Sequence, residues 1–304
     1  MADPRSFDGV LFFPVTPFGE GGKIDHDVLA AHVDAGVGHG AGAVFAACGT
    51  GEFHALSGSE VEAVTATAVG AVGGRVPVIA GAGGPLAHAT RCARGAERRG
   101  ADALLLLPPY LVTAPQRGLV DYVLAVAAAS ELPVIVYHRG AAQFTVDSMR
   151  RLLDEPKVIG IKDGVGDVAL AQRFVLAAAD AGRADVQFFN GLLTAELSQA
   201  AYRAIGVPLY SSAVFAMAPA IANAFYRAYL AEDAAAQRRL LDEFYAPLVA
   251  LRDETPGFAV SLIKTGLRLR GMPVGSVRAP LVDPDERQTA RLEELLRIGE
   301  ALAG

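Results

Sequence analysis

Lysine is scarce in this chain. Its 304 residues include four lysines, Lys23, Lys157, Lys162 and Lys264, and arginine supplies the rest of the basic charge. Cysteine is scarcer. Cys48 and Cys92 show no metal-ligand spacing, so neither a disulfide framework nor a zinc site is implied, and a reducing cytoplasm is the expected setting. Long hydrophobic runs are missing too. The longest candidate, Ala103 to Leu107, stops at Pro108 and Pro109, far short of the roughly 20 residues a membrane span needs, so no membrane partner is expected. Met1 to Phe7 contains Asp3 and Pro4 without an apolar core, and no targeting segment is read there. The net charge of -6 comes without a basic cluster, which argues against a nucleic-acid partner. It does not favour an acidic substrate either, so any bound anion must be met by local groups.

What the chain does have is alternation. Short apolar runs begin at Val10, Ala43, Val76, Ala103, Val134, Val158, Val186 and Val207. Such near-continuous runs are expected of buried parallel strands. Amphipathic stretches lie between them, among them Asp25 to His39, Ser59 to Val72, Pro85 to Arg99, Pro115 to Ala129 and Val168 to Ala181. Ser59 followed by Glu62 has the spacing of a capping box. Eight such units predict a (β/α)8 TIM barrel over residues 1–229. An open doubly wound sheet is the other reading, but Pro14-Val15-Thr16-Pro17 lacks the Gly-rich fingerprint expected after its first strand. Beyond about Tyr229 the strands stop. Asp233 to Leu251, Phe258 to Arg270 and Asp285 to Leu302 predict a C-terminal helical appendage, 230–304, packed on the barrel.

Barrel chemistry sits at the carboxyl ends of strands. Of the four lysines, only Lys162 directly follows an apolar strand, in Val158-Ile159-Gly160-Ile161-Lys162-Asp163. A lysine desolvated there becomes a neutral amine able to form an imine with a ketone. Taken alone it fits equally a structural lysine paired with Asp163. Tyr137 ends the preceding strand and is a candidate proton relay, or a core tyrosine. Cys48-Gly49-Thr50-Gly51-Glu52 follows the second strand, and backbone amides at Gly49 and Thr50 suit a carboxylate. An ordinary Gly-rich turn is the plainer reading. Glu52 is expected to bond loop amides, and Lys264 to lie on a helix among arginines. Gly81-Ala82-Gly83-Gly84 follows strand three, not the strands seven and eight where barrel phosphate sites usually form.

Together these segments, with Phe13-Pro14-Val15-Thr16-Pro17-Phe18, resemble the dihydrodipicolinate synthase/N-acetylneuraminate lyase family of class I aldolases across essentially the whole chain. The resemblance implies Lys162 as the imine lysine, Tyr137 as proton relay and Thr50 as the hydroxyl beside it. It also implies no metal or organic cofactor and a homo-oligomer, tetramer or dimer. Three positions depart from the synthases. Gly49 replaces the first of two adjacent hydroxyl residues, Leu111 the second of two consecutive tyrosines, and Arg139 follows Tyr137 by only two residues. With Tyr137-His138-Arg139-Gly140, the pattern is most similar to a branch that removes water and carbon dioxide from a C6 keto-diacid. Such a substrate would place one carboxylate at Gly49 and Thr50 and the distal one at Arg139. Its hydroxyls would meet Asn190, Gly191 and Ser211. The alternatives are an aldolase acting on another keto-deoxy sugar acid and a non-catalytic ligand-binding barrel.

Overall fold

The apolar runs form strands, and the strands close on themselves. The computed structural model describes residues 7–304; of the expected absence of a leader, the part on residues 1–6 lies outside the described residues. The strands are β1 (Val10–Phe12), β2 (Ala41–Ala46), β3 (Val78–Ala82), β4 (Ala103–Leu106), β5 (Val134–His138), β6 (Val158–Asp163), β7 (Gln187–Asn190) and β8 (Leu209–Ser212). Each pairs in parallel with the next, and β8 closes on β1 through Leu11 opposite Ser211 and Phe12 opposite Ser212. The (β/α)8 barrel is therefore as expected. Three strands start later than their apolar runs: β3 at Val78, β7 at Gln187 and β8 at Leu209. β7 extends to Asn190 and β8 to Ser212, because a ladder needs backbone N–H and C=O groups and continues through polar residues.

The helices are α1 (His26–Gly38), α2 (Gly58–Val72), α3 (Leu86–Arg98), α4 (Gln116–Ala127), α5 (Val146–Leu153), α6 (Val168–Asp180) and α7 (Gln199–Ala204). Then come α8 (Val214–Met217), α9 (Pro219–Leu230), α10 (Ala234–Leu240), α11 (Ala246–Arg252), α12 (Phe258–Leu269) and α13 (Glu286–Ala303). Side-chain caps start several of them: Asp25 accepts from Val28 N, Thr145 from Ser148 N and Asp167 from Leu170 N. The capping box of α2 is Ser57 with Glu60, not Ser59 with Glu62. Both pairs have the right spacing, but Glu62 is instead taken by Arg98 of α3 and by Arg99, which follows that helix.

Aromatic rings fill the barrel below its mouth. Phe13 stacks on Phe45 at 4.4 Å, and Phe7 meets Phe189 edge-on at 5.4 Å. Gly160 leaves room for Phe189, since a Cβ there would lie 2.7 Å from its ring. The α10–α13 segment shares this core: Phe244, Leu248 and Leu251 belong to one buried cluster with Phe225 and Tyr229. Each such side chain contributes about 1.5–3 kcal/mol by leaving water. Among the described residues, no helix is long and apolar enough to cross a membrane.

Candidate active site

Register brings the two predicted catalytic side chains together. Tyr137 of β5 is the pairing partner of Lys162 of β6, so both side chains enter the same mouth. Lys162 is buried, 4 % exposed, with Nζ 4.0 Å from the centre of the Tyr137 ring and 5.4 Å from that of Phe13. It has no carboxylate partner among the described residues. The alternative pairing with Asp163 is not formed, because Asp163 turns outward, accepting from Tyr202 Oη, from Val165 N at 2.9 Å and from Gly166 N at 3.4 Å. Burial pushes the Lys162 amine below its ordinary pKa. The neighbouring Tyr137 opposes the shift without cancelling it.

Tyr137 Oη donates to the Gly191 carbonyl at 2.8 Å and accepts from Arg139 Nη1 at 2.8 Å. Burial alone would raise its pKa. The positive charges of Lys162 and Arg139 outweigh burial and lower it. Lys162 Nζ donates to the same Gly191 carbonyl at 3.2 Å. Gly191 thus holds both groups, and a side chain there is crowded by backbone: an added Cβ would lie 2.8 Å from the Asp163 carbonyl oxygen and 2.6 Å from Lys162 Cγ. Nothing in the sequence marks this carbonyl as a shared acceptor.

These groups open into a cavity of about 600 Å³. Gly49, Thr50, Tyr137, Arg139, Gly191 and Ser211, all predicted from sequence, line it with Lys162. Leucines, prolines and Tyr110 form much of its rim, and Gly257, Ala259, Val260 and Leu281 bring the appendage into its wall. Among the described residues, no Asp or Glu lines it. Arg139 reaches it with guanidinium N–H groups that donate to no described residue beyond Tyr137.

Asn190 is the misplaced prediction. It is paired with Asp163 and shares that residue's outward face. It is fully buried, its amide donating to Ala195 O, Ser198 Oγ and Gln199 Oε1 at 2.9–3.1 Å, and it does not line the cavity. A strand-end position was a sufficient signal for Lys162 and Ser211, but the alternation of faces along β7 excludes Asn190. Thr16, which the sequence did not single out, donates to Gly51 O at 2.6 Å and ties the Gly-rich loop to the segment after β1. Cys48 lies under that loop, its thiol raised above its ordinary pKa by burial. Among the described residues, no three or more His, Cys, Asp or Glu gather in a way that would hold a metal.

The closed barrel, with an unpaired buried lysine at a strand's carboxyl end beside a tyrosine, is that of a barrel enzyme of the class I aldolase type. More particularly, the chain belongs to the dihydrodipicolinate synthetase family, whose model matches residues 6–298. It is 53 % identical over 295 residues to a Streptomyces coelicolor protein named probable 5-dehydro-4-deoxyglucarate dehydratase 1, covering 97 % of this chain and 93 % of that one. A protein of the same name (without the number) from Paracidovorax citrulli is 43 % identical over 289 residues, covering 95 % and 94 %. Among solved structures, the dihydrodipicolinate synthase of Oceanobacillus iheyensis superposes with a TM-score of 0.88 at 25 % identity, over 96 % of each chain. The chloride-inhibited dihydrodipicolinate synthase of Acinetobacter baumannii complexed with pyruvate gives 0.83 at 26 %, over 97 % and 99 %.

Proposed function

We propose that this enzyme converts 5-dehydro-4-deoxyglucarate to 2,5-dioxopentanoate, carbon dioxide and water through an imine on Lys162. The observation that carries the reading is the desolvated Lys162 amine, without a carboxylate partner, facing a cavity that Arg139 lines and that no described Asp or Glu lines, which suits an anionic ketone. Relatives of that name at 53 % and 43 % identity support the substrate.

The neutral amine condenses with the C5 ketone and expels water. The iminium acidifies C4, and Tyr137, its phenol held below its ordinary pKa by Lys162 and Arg139, is the base placed to take a C4 proton. The enamine pushes out the C3 hydroxyl, leaving a C3–C4 double bond conjugated to the iminium. The C1–C2 bond is then vinylogous to the electron sink. Its electron pair moves into the conjugated system as CO2 departs. Protonation at carbon and hydrolysis of the imine release the aldehyde product and the free lysine. One iminium therefore serves both bond cleavages. Gly49 and Thr50 receive the carboxylate beside the ketone, Arg139 the distal one, and Ser211 a hydroxyl.

The chain also fits a homo-oligomer, since Tyr110 and Leu111 of the cavity lining and the adjacent Val112 are exposed apolar side chains, with Leu111 at full exposure. A reducing cytoplasm fits two buried free cysteines. Incubation with 5-dehydro-4-deoxyglucarate should release CO2 and 2,5-dioxopentanoate in equal amounts. Pyruvate without CO2 would assign the aldolase reading instead.

A further inference from the structure

The second buried lysine lies away from Lys162, at the seam between the appendage and the Gly-rich loop. Lys264 of α12 and Glu52 are both fully buried, and their charged atoms are 2.8 Å apart. Lys264 donates its hydrogen bond at 2.8 Å to Ser276 O, so the contact with Glu52 Oε1 is an ion pair more than an aligned hydrogen bond. The other Glu52 oxygen accepts from the Arg278 backbone N at 2.8 Å. The Arg278 side chain donates to Ala55 O, Gly22 O and Glu60 Oε1 at 2.6–2.8 Å. Lys264 Nζ and Arg278 Cζ each lie 4.1 Å from the centre of the Phe18 ring. The appendage meets the loop after β2 at this carboxylate, and Phe18 and Gly22, from the segment after β1, pack against the two cations.

A buried ion pair is weak evidence for stability, because desolvation offsets its attraction, and apolar side chains of similar volume commonly serve as well. Its position explains it better. Glu52 is two residues after Thr50, and its backbone is held left-handed at φ 57, a conformation that non-glycine residues keep only when their surroundings hold them there. In that conformation Glu52 N donates to Gly49 O at 3.1 Å and Phe53 N to Cys48 O at 3.1 Å, which sets the direction of the Gly49–Thr50 amides.

We propose that Glu52, Lys264 and Arg278 are positioning residues: the appendage grips the Glu52 carboxylate and thereby aims the Gly49–Thr50 amides at the carboxylate next to the substrate ketone. This rests on the imine reading above, but it concerns anion binding and not the amine. The test therefore uses two ketones that differ in the carboxylate. Pyruvate carries it; hydroxyacetone does not. Borohydride reduction traps either as an adduct on Lys162, and the half-saturating ketone concentration is read by mass spectrometry of the intact protein.

In Glu52→Gln/Lys264→Met, which leaves no lone buried charge, half-saturation by pyruvate should rise roughly 10-fold, a modest misplacement effect. Half-saturation by hydroxyacetone should stay unchanged. Arg278→Ala, whose side chain reaches solvent and whose backbone bond to Glu52 persists, should move pyruvate in the same direction by less, and it carries the test alone if the double variant does not fold. Folded variants with unchanged pyruvate constants, or with equal shifts for both ketones, would overturn the positioning role. Loss of trapping by both ketones in the unaltered enzyme would instead remove the imine reading itself.

Discussion

Two lysines of this chain are buried to a similar degree and used in opposite ways. Lys162 opens from β6 into the cavity mouth with a tyrosine face, a phenylalanine face and one carbonyl around it. Lys264 sits in the seam between α12 and the Gly-rich loop against a carboxylate. Burial lowers the pKa of both. At Lys264 the Glu52 carboxylate opposes that shift from contact distance, and the two side chains tie the helix to the loop. At Lys162 the opposing group is a phenol that is itself held by Arg139, and no carboxylate is present. Burial is common to both. In the function proposed above, what makes one a nucleophile and the other a tie is the partner.

The largest expected effect is at Lys162. Lys162→Ala should remove the borohydride-trapped adduct and lower kcat/KM on the order of 10⁴-fold or more, as loss of a covalent nucleophile does. Lys264→Met should leave the adduct in place. An adduct that survives Lys162→Ala, or moves to Lys264, would break the contrast between the two.

Lys264→Met should instead cost stability. It strands the buried Glu52 charge, a loss of about 3–5 kcal/mol. Adding Glu52→Gln should recover most of it. Chemical-denaturation midpoints of the single and double variants measure the difference. A single variant as stable as the parent would mean that Glu52 finds another cation.

That Lys264 matters was not legible in the sequence. On α12 it looks like one basic residue among arginines, and its partner is 212 positions earlier. The barrel was legible, because each strand is its own apolar run. So was Lys162, because scarcity of lysine left one candidate at a strand end. Tyr137, Gly191 and Ser211 were found by the same strand-end rule, Gly49 and Thr50 as a Gly-rich loop after a strand, and Arg139 through the family resemblance; all of them line the cavity. Asn190 was not separated from them, since which face a strand-end residue takes depends on register with β6, and register is a property of the closed barrel. The shared carbonyl of Gly191 was invisible for a plainer reason: every residue has a carbonyl, and only geometry shows which one is used.

A third buried charge sharpens the comparison from the acid side. Glu196 is buried with Ser212 Oγ donating to it at 2.6 Å and no ion-pair partner among the described residues, and burial pushes its carboxyl up to about 7. The folded value lies above the ordinary 4.5, so the folded chain binds more protons between the two values. Stability therefore falls as pH rises from about 4.5 through about 7 and stays reduced above it, by on the order of 3 kcal/mol. Glu196→Gln keeps an acceptor for Ser212 and removes the titration. It should raise the denaturation midpoint at pH 8 and change little at pH 4.5. A gain at both would mean that packing, not charge, limits this site.

The smallest expected effect tests the partner idea at Lys162 itself. Arg139 acts on both members of the pair. Its positive charge lowers the Lys162 amine and, through the 2.8 Å bond, the Tyr137 phenol. Arg139→Met removes that charge, so both groups should titrate at higher pH. Because Lys162 and Tyr137 interact, the observed values belong to the pair. The sign is the same for each, so the acidic limb of kcat/KM should move toward higher pH. Part of any loss in kcat/KM will come from weaker binding of the distal carboxylate, and the rate of pyruvate adduct formation separates the two effects, since pyruvate has no second carboxylate. A pH shift in the pyruvate profile would show that Arg139 tunes the lysine. An unchanged profile with a raised KM for the keto-diacid would confine Arg139 to substrate binding, leaving burial alone to set the Lys162 amine.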